Sequence, residues 1–152
     1  MSRRAEIRLT DAEVEEFLRE PHHLHVATIA RDGRPHLVTL WYGLVDGSVV
    51  LWTYARSQKV VNLRRDPRVT CLAESGRSYD ELKGVELVGH GVILEDREAV
   101  LAAGRSVFDR YQGPYTEADR PRLEKMSAKR VAVRIEVERV VSWDHAKMAA
   151  PA

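Results

Sequence analysis

The period of the apolar positions changes several times along the chain, and each change marks an element. Thr10 with Glu13 fits a capping box, and Val14, Phe17 and Leu18 then recur along one helix face, so a short helix is predicted that stops before Pro21. From His22 to Ala30 apolar and β-branched residues dominate, which predicts a first strand. Asp32-Gly33 is a turn dipeptide, Leu37 to Val45 reads as a second strand, Asp46-Gly47 as a second turn and Ser48 to Thr53 as a third strand. Two hairpin turns in close succession predict an antiparallel meander. Ser57 is the expected N-cap of a short helix with Val60 and Leu63 on its buried side, ended by Asp66-Pro67 because the residue before proline is pushed out of the helical region.

Further on, Arg68 to Glu74 alternates with Val69, Cys71 and Ala73 on one face, and Ser75 to Asp80 is a polar loop. Val85 to Leu94 is a long fifth strand, in which Gly89 and Gly91 flank His90 and predict a bulge or a close backbone approach. Asp96 is the expected cap of a helix with the stripe Val100, Gly104, Val107, Phe108 and Tyr111. Gly113-Pro114 breaks it, and Thr116 to Met126 is a further helical piece. Val131, Val133, Ile135 and Val137 alternate as a sixth strand, Val140 to Trp143 adds a seventh, and residues 146–152 form an Ala- and Pro-rich tail expected to be flexible. No repeat or linker interrupts the chain, so a single domain over 1–152 is expected, with residues 1–20 as its N-terminal helix region. The fold class is all-β-dominated with peripheral helices. A closed or nearly closed antiparallel barrel of six or seven strands fits, since closure removes exposed sheet edges.

Charge and cysteine content narrow the function classes. The 152 residues carry 24 Lys and Arg against 23 Asp and Glu, a formal charge of +1. That balance argues against a nucleic-acid-binding protein, even with Arg64, Arg65 and Arg68 close in sequence to Arg56 and Lys59. No stretch has the apolar length of a membrane span, and Met1 to Thr10 lacks a signal-peptide core, so a cytoplasmic protein without membrane contact is expected. The single Cys71 excludes an intrachain disulfide and a multi-cysteine metal site, and its alternation with Val69 and Ala73 reads as a core thiol. His22, His23 and His25 cluster near one strand, but spacing anchors no third ligand, so no metal is expected.

The most informative stretch is Leu51-Trp52-Thr53-Tyr54-Ala55-Arg56-Ser57-Gln58-Lys59-Val60-Val61-Asn62. It sets Arg56, Ser57 and Lys59 at a strand-to-helix junction, where free backbone N–H groups, a hydroxyl and two cations suit a phosphate, and Thr53 offers a second hydroxyl. The same residues also read as a solvated turn, a capping serine and surface cations, and taken alone they leave both readings open.

Together with Leu24-His25-Val26-Ala27-Thr28-Ile29, Asp32-Gly33-Arg34-Pro35-His36, Leu40-Trp41-Tyr42 and Arg64-Arg65-Asp66-Pro67-Arg68-Val69, this stretch resembles the split-barrel family that includes pyridoxamine phosphate oxidases, over roughly His22 to Lys147. The resemblance is closer to its small oxidoreductases that use flavin or deazaflavin. It implies a Greek-key split β-barrel of the FMN-binding type and a homodimer with the cofactor between the subunits. It implies Arg56, Ser57 and Lys59 as phosphate contacts, Thr53 beside the ribityl chain, and Asn62 either behind them or in helix packing. It also implies that the strand from Pro35 to Trp41, with His36 and Leu37, runs along the cofactor ring. The further Arg, Gln and His positions that pyridoxamine phosphate oxidase uses for its substrate are missing, and Val141 to Met148 resembles the deazaflavin-using members. The implied function is a deazaflavin (coenzyme F-420) dependent oxidoreductase that moves hydride to or from a small organic substrate. The alternatives are an FMN-binding oxidoreductase of the same fold and a non-catalytic flavin- or haem-binding carrier. No Ser-His-Asp set and no Gly-rich dinucleotide loop is present, so no catalytic acid is assigned. Tyr42 and His36 are the substrate-side candidates, and a core tyrosine with a satisfied hydroxyl is the other reading of Tyr42.

Overall fold

Alternation builds most of this molecule. In a computed structural model, which describes residues 2–148, the alternating runs become seven strands: β1 (Leu24–Ile29), β2 (Pro35–Leu40), β3 (Gly43–Val45), β4 (Ser48–Tyr54), β5 (Arg68–Ser75), β6 (Lys83–Leu94) and β7 (Arg130–Asp144). All pairings are antiparallel, and the order is β2-β1-β5-β6-β7-β4-β3. The fold is mixed α/β, dominated by this one sheet, which curls into a split half-barrel. Leu24 and Val26 of β1, Leu51 of β4, Cys71 of β5, Val85 of β6 and Val133 of β7 point inward and form the core. Burial there pushes the Cys71 thiol up to about 12, so it stays protonated.

The strand count of seven is reached differently from the sequence reading. The predicted second strand is two, broken at Trp41-Tyr42, and the predicted sixth and seventh are one continuous β7. The predicted meander is also replaced. β1–β2 and β3–β4 are both hairpins, but β2 and β3 are the two opposite edges of the sheet. Only Trp41 and Tyr42 separate Leu40 from Gly43, a span of at most about 11 Å. The covalent chain therefore forces the two edges together at this end and curls the sheet.

Tyr42 is fully buried at that crossing. Its hydroxyl donates to the Leu18 carbonyl at 2.7 Å, with the Glu20 carbonyl at 3.0 Å. The Arg110 guanidinium lies 4.5 Å over its ring and donates to the Tyr42, Arg19, Leu18 and Glu20 carbonyls. These bonds satisfy the carbonyls that the end of an N-terminal helix leaves free.

The helices are α1 (Arg3–Glu6), α2 (Asp11–Arg19), α3 (Gln58–Arg65), α4 (Arg97–Tyr111) and α5 (Arg120–Ser127). The predicted capping box of α2 forms through Thr10 and Glu13, and Asp96 caps α4 by accepting from the Ala99 N–H at 3.1 Å. No extra residue falls in β6: its register shifts between Val88 and Gly89 because β7 carries the unpaired Glu138, and a Cβ on Gly89 would overlap the Glu136 carbonyl, the close backbone approach that is the other expectation there. The chain from His145 to Met148 makes one tight helical turn, and residues 149–152 of the expected tail lie outside the described residues. Among the described residues no helix is long and apolar enough to cross a membrane.

Candidate functional site

The junction between β4 and α3 is set by the change from alternation to helical spacing after Tyr54. Thr53, the last inward residue of β4, is buried opposite Val131 of β7. Ala55 follows and is tied to β7 by its N–H to the Lys129 carbonyl at 2.9 Å. Ser57 then takes the extended N-cap conformation, and its carbonyl receives the Val61 N–H. Unlike Thr10 and Asp96, its side chain makes no capping bond. The Ser57 Oγ is buried and has no hydrogen-bond partner among the described residues. Such a hydroxyl costs free energy unless something else fills its shell.

Lys59, one turn into the helix, donates from Nζ to the Thr53 Oγ1 at 2.7 Å. Burial lowers its pKa below the ordinary lysine value. Arg56 is exposed on the connecting turn. Tyr54, Ala55, Arg56, Ser57, Ala128 and Lys129 line a groove of about 720 Å³ here. None of Arg56, Lys59 and Lys129 forms an ion pair among the described residues. Two unpaired cations in the groove, Lys59 one turn into the helix, an orphaned hydroxyl and a helix N-terminus are chemically matched to a phosphate. Lys129 was absent from the sequence reading. Only the pairing of β4 with β7 brings it here, and nothing local signals that pairing.

Of the four junction candidates, Arg56 and Ser57 line this groove, while Lys59 and Thr53 bond to each other and are not among its lining residues. Asn62 is fully buried behind them. Its Nδ2 donates to the Thr28 Oγ1 at 3.1 Å, and its Oδ1 accepts from Gln58 at 2.8 Å and from Arg65 at 3.3 Å. Asn62 therefore ties α3 to β1 through Thr28. Arg65, exposed on α3, also donates to the Ile29 carbonyl and shares that packing task.

The other candidates lie elsewhere. Pro35 and Leu37 face outward on the edge strand β2, and Leu37 is 67% exposed. His36 faces inward opposite Thr28, and its Nδ1 is buried without a partner among the described residues. Because β2 pairs only with β1, its outer backbone N–H and C=O groups are open. Trp41 stacks on Tyr111, with ring centroids 4.8 Å apart, and lines a different pocket. Tyr42 is in the core with its hydroxyl engaged by helix carbonyls. No group of three or more His, Cys, Asp or Glu among the described residues is arranged to hold a metal ion.

The family described as pyridoxamine 5'-phosphate oxidase matches residues 10–144. The crystal structure of conserved hypothetical protein Rv2991 from Mycobacterium tuberculosis is 46% identical, covers 100% of this chain and 95% of that one, and superposes with a TM-score of 0.94. An F-420 reductase is 23% identical over 83% of this chain and 94% of that one, with a TM-score of 0.65. HutZ, the heme storage protein from Vibrio cholerae, is 16% identical over 90% and 97%, with a TM-score of 0.69. These last two show a shared fold. No curated protein matches the chain.

Proposed function

The chain belongs to the pyridoxamine 5'-phosphate oxidase family of split barrels, and from that premise we propose that it is an oxidoreductase holding a phosphorylated flavin-type cofactor at the β4–α3 junction. The observation that carries this reading is Ser57. Its hydroxyl sits at a helix N-cap, is buried, and bonds to nothing among the described residues. Ser57 and the first free N–H groups of α3 would donate to a cofactor phosphate, and Lys59, Arg56 and Lys129 would balance its charge. When bound, the cofactor supplies hydride or electron transfer; the protein's part is to bind, orient and tune it. Thr53 orients the Lys59 ammonium, Asn62 and Arg65 hold α3 in place, and the open backbone edge of β2 offers hydrogen bonds to a flat ring.

Three cations at one helix end favour a terminal phosphomonoester, hence flavin mononucleotide. Coenzyme F-420 is the second reading, supported by the resemblance of Val141 to Met148 to deazaflavin-using members. The reacting partner is a small organic molecule, and the working unit is a homodimer that closes the groove.

Calorimetric titration of the apoprotein with flavin mononucleotide, F-420, haem and pyridoxal phosphate tests this. One of the first two is expected to bind tightest and to be reduced and reoxidised at a useful rate. Tight binding without turnover would leave a carrier, and haem alone would place the protein with haem-binding barrels. Lys59→Ala is expected to weaken binding by about ten- to hundredfold, the value of a charge-assisted hydrogen bond. Arg64→Ala, which removes only an exposed pair with Glu95, is expected to leave affinity unchanged. Equal affinity in wild type and Lys59→Ala would sink the phosphate assignment.

A further inference from the structure

A second pocket, of about 230 Å³, opens on the outer side of β4 beneath α4 and α5. Its walls include Trp41, Trp52, Phe108, Leu123 and Met126, and Arg130 stands at its side. The aromatic walls are fixed in advance. The Trp52 Nε1 donates to the Ser127 Oγ at 3.3 Å. Gly104 lets α4 lie directly on the indole, since a Cβ there would come within 2.7 Å of it. Trp41 is stacked nearly parallel on Tyr111, at an interplanar angle of 8°.

Arg130 is the unusual member. Its guanidinium carbon lies 4.4 Å over the Trp52 ring and 4.1 Å over the Tyr54 ring. One N–H is spent on the Met126 carbonyl at 2.7 Å. Among the described residues no carboxylate pairs with it and no other acceptor meets its remaining N–H groups. Ring contacts use the face of a guanidinium, while a carboxylate is met by the N–H fork at its edge, so the two are compatible. An apolar slot with flat walls and one unpaired cation is complementary to a planar ring bearing an acid group. The volume is below the roughly 300–1,000 Å³ typical of sites for drug-sized ligands, which limits the ring system to one or two fused rings.

We propose that this pocket binds a small aromatic carboxylate, its ring among Trp41, Trp52 and Phe108 and its acid group on Arg130. The site is separate from the phosphate groove but adjoins it, since Tyr54 carries the Arg130 guanidinium on its ring and also lines the groove. Binding itself does not depend on the cofactor reading; only a role for this ligand as the reacting partner does.

The probe is 2-naphthoate, titrated into the apoprotein and followed by tryptophan fluorescence and calorimetry, with the neutral 2-naphthalenemethanol beside it. Saturable one-to-one binding is expected, with the alcohol at least about tenfold weaker. Arg130→Met, which keeps an unbranched side chain and drops the charge, is expected to abolish that preference. Met126→Trp, which fills the pocket and keeps Arg130, is expected to abolish binding of both. Lys59→Ala is expected to bind naphthoate as wild type does, which separates this site from the groove. Absence of saturable binding, equal affinity for acid and alcohol, or loss of naphthoate binding in Lys59→Ala would each overturn the proposal. If Arg130→Met does not fold, the two ligands on wild type and Met126→Trp decide it. Flavin mononucleotide titrated in parallel reports on the groove alone.

Discussion

Lys59 is half-buried, donates to a threonine hydroxyl and meets no carboxylate among the described residues. Desolvation favours its neutral form, so its pKa lies below the ordinary 10.5. The unfolded chain therefore binds the proton more strongly, and this group's contribution to apoprotein stability rises with pH as its ordinary pKa is approached. Phosphate binding needs the ammonium and responds in the opposite direction. Affinity for flavin mononucleotide is expected to fall as pH rises through the lowered Lys59 pKa, in a range where the phosphate itself is already fully ionised. Lys59→Arg, which stays charged throughout, is expected to flatten that profile. Calorimetry between pH 7 and 10 in both proteins, each range endpoint being roughly chosen to bracket the lysine titration, measures it. A wild-type profile as flat as that of Lys59→Arg would show that Lys59 does not face the phosphate.

Among the described residues all five α-helices have Ser, Thr or Asp at the N-cap, and those of α1, α3 and α5 make no side-chain capping bond; of these three only the Ser57 hydroxyl is buried without a partner. Thr10 closes a full capping box with Glu13, Asp96 accepts from Ala99, and the Ser57 hydroxyl does neither. Thr10→Ala is expected to cost about 1 kcal/mol, the usual value of a working cap, and Ser57→Ala only a few tenths of a kcal/mol. In titration the order is expected to reverse, with Ser57→Ala weakening cofactor binding and Thr10→Ala leaving it unchanged. Denaturant melts and calorimetry on the two variants check both halves. A large stability loss in Ser57→Ala would return Ser57 to an ordinary capping role. The same α2 cap has a pH signature. Lys147 and the Thr10 backbone hold the Glu13 carboxyl down at about 2, against an ordinary 4.5. Its contribution is complete above 4.5 and is lost as pH falls from there towards 2. Glu13→Gln is expected to reduce the acid slope of the melting temperature over that window, and an unchanged slope would remove Glu13 from the acid response. The caps of α2 and α4, the close approach at Gly89 and the alternation were legible because each is a local pattern. The break at Trp41-Tyr42 was not. It is enforced by Arg110 and the end of α2, which reach it only in the folded molecule. Lys129 and Arg130 escaped notice for the same reason: their partners on β4 lie far away in sequence.

At the scale of the whole molecule, the seam where β2 and β3 are drawn together leaves β2 as an edge whose outward row is Pro35, Leu37 and Thr39. Edge strands of monomeric proteins are commonly blunted by lysines, bulges or a covering element. β2 has no Lys, Arg, Asp or Glu, and its Leu37 is 67% exposed. Tyr54, 55% exposed at the end of β4, and Val61, 46% exposed on α3, add apolar surface beside the phosphate groove. Scattered exposed apolar residues are ordinary, but these three sit on the elements that build the proposed cofactor site, and a second copy of the chain is the occupant that would cover them. A homodimer is therefore expected by sedimentation of the wild type at micromolar concentration. Leu37→Glu places a charge on the edge and is expected to shift the protein towards monomer. It is expected to lower the melting temperature in a concentration-dependent way, because association stabilises the folded state by mass action, and to weaken cofactor binding while leaving Lys59, Ser57 and the pocket beside Arg130 intact. Tyr79→Ser, at a residue 72% exposed that packs against His145 away from β2, is the matched control and is expected to stay dimeric. A dimer that survives Leu37→Glu would move the interface off β2. A wild type that is monomeric and still binds cofactor with full affinity would show that one half-barrel suffices.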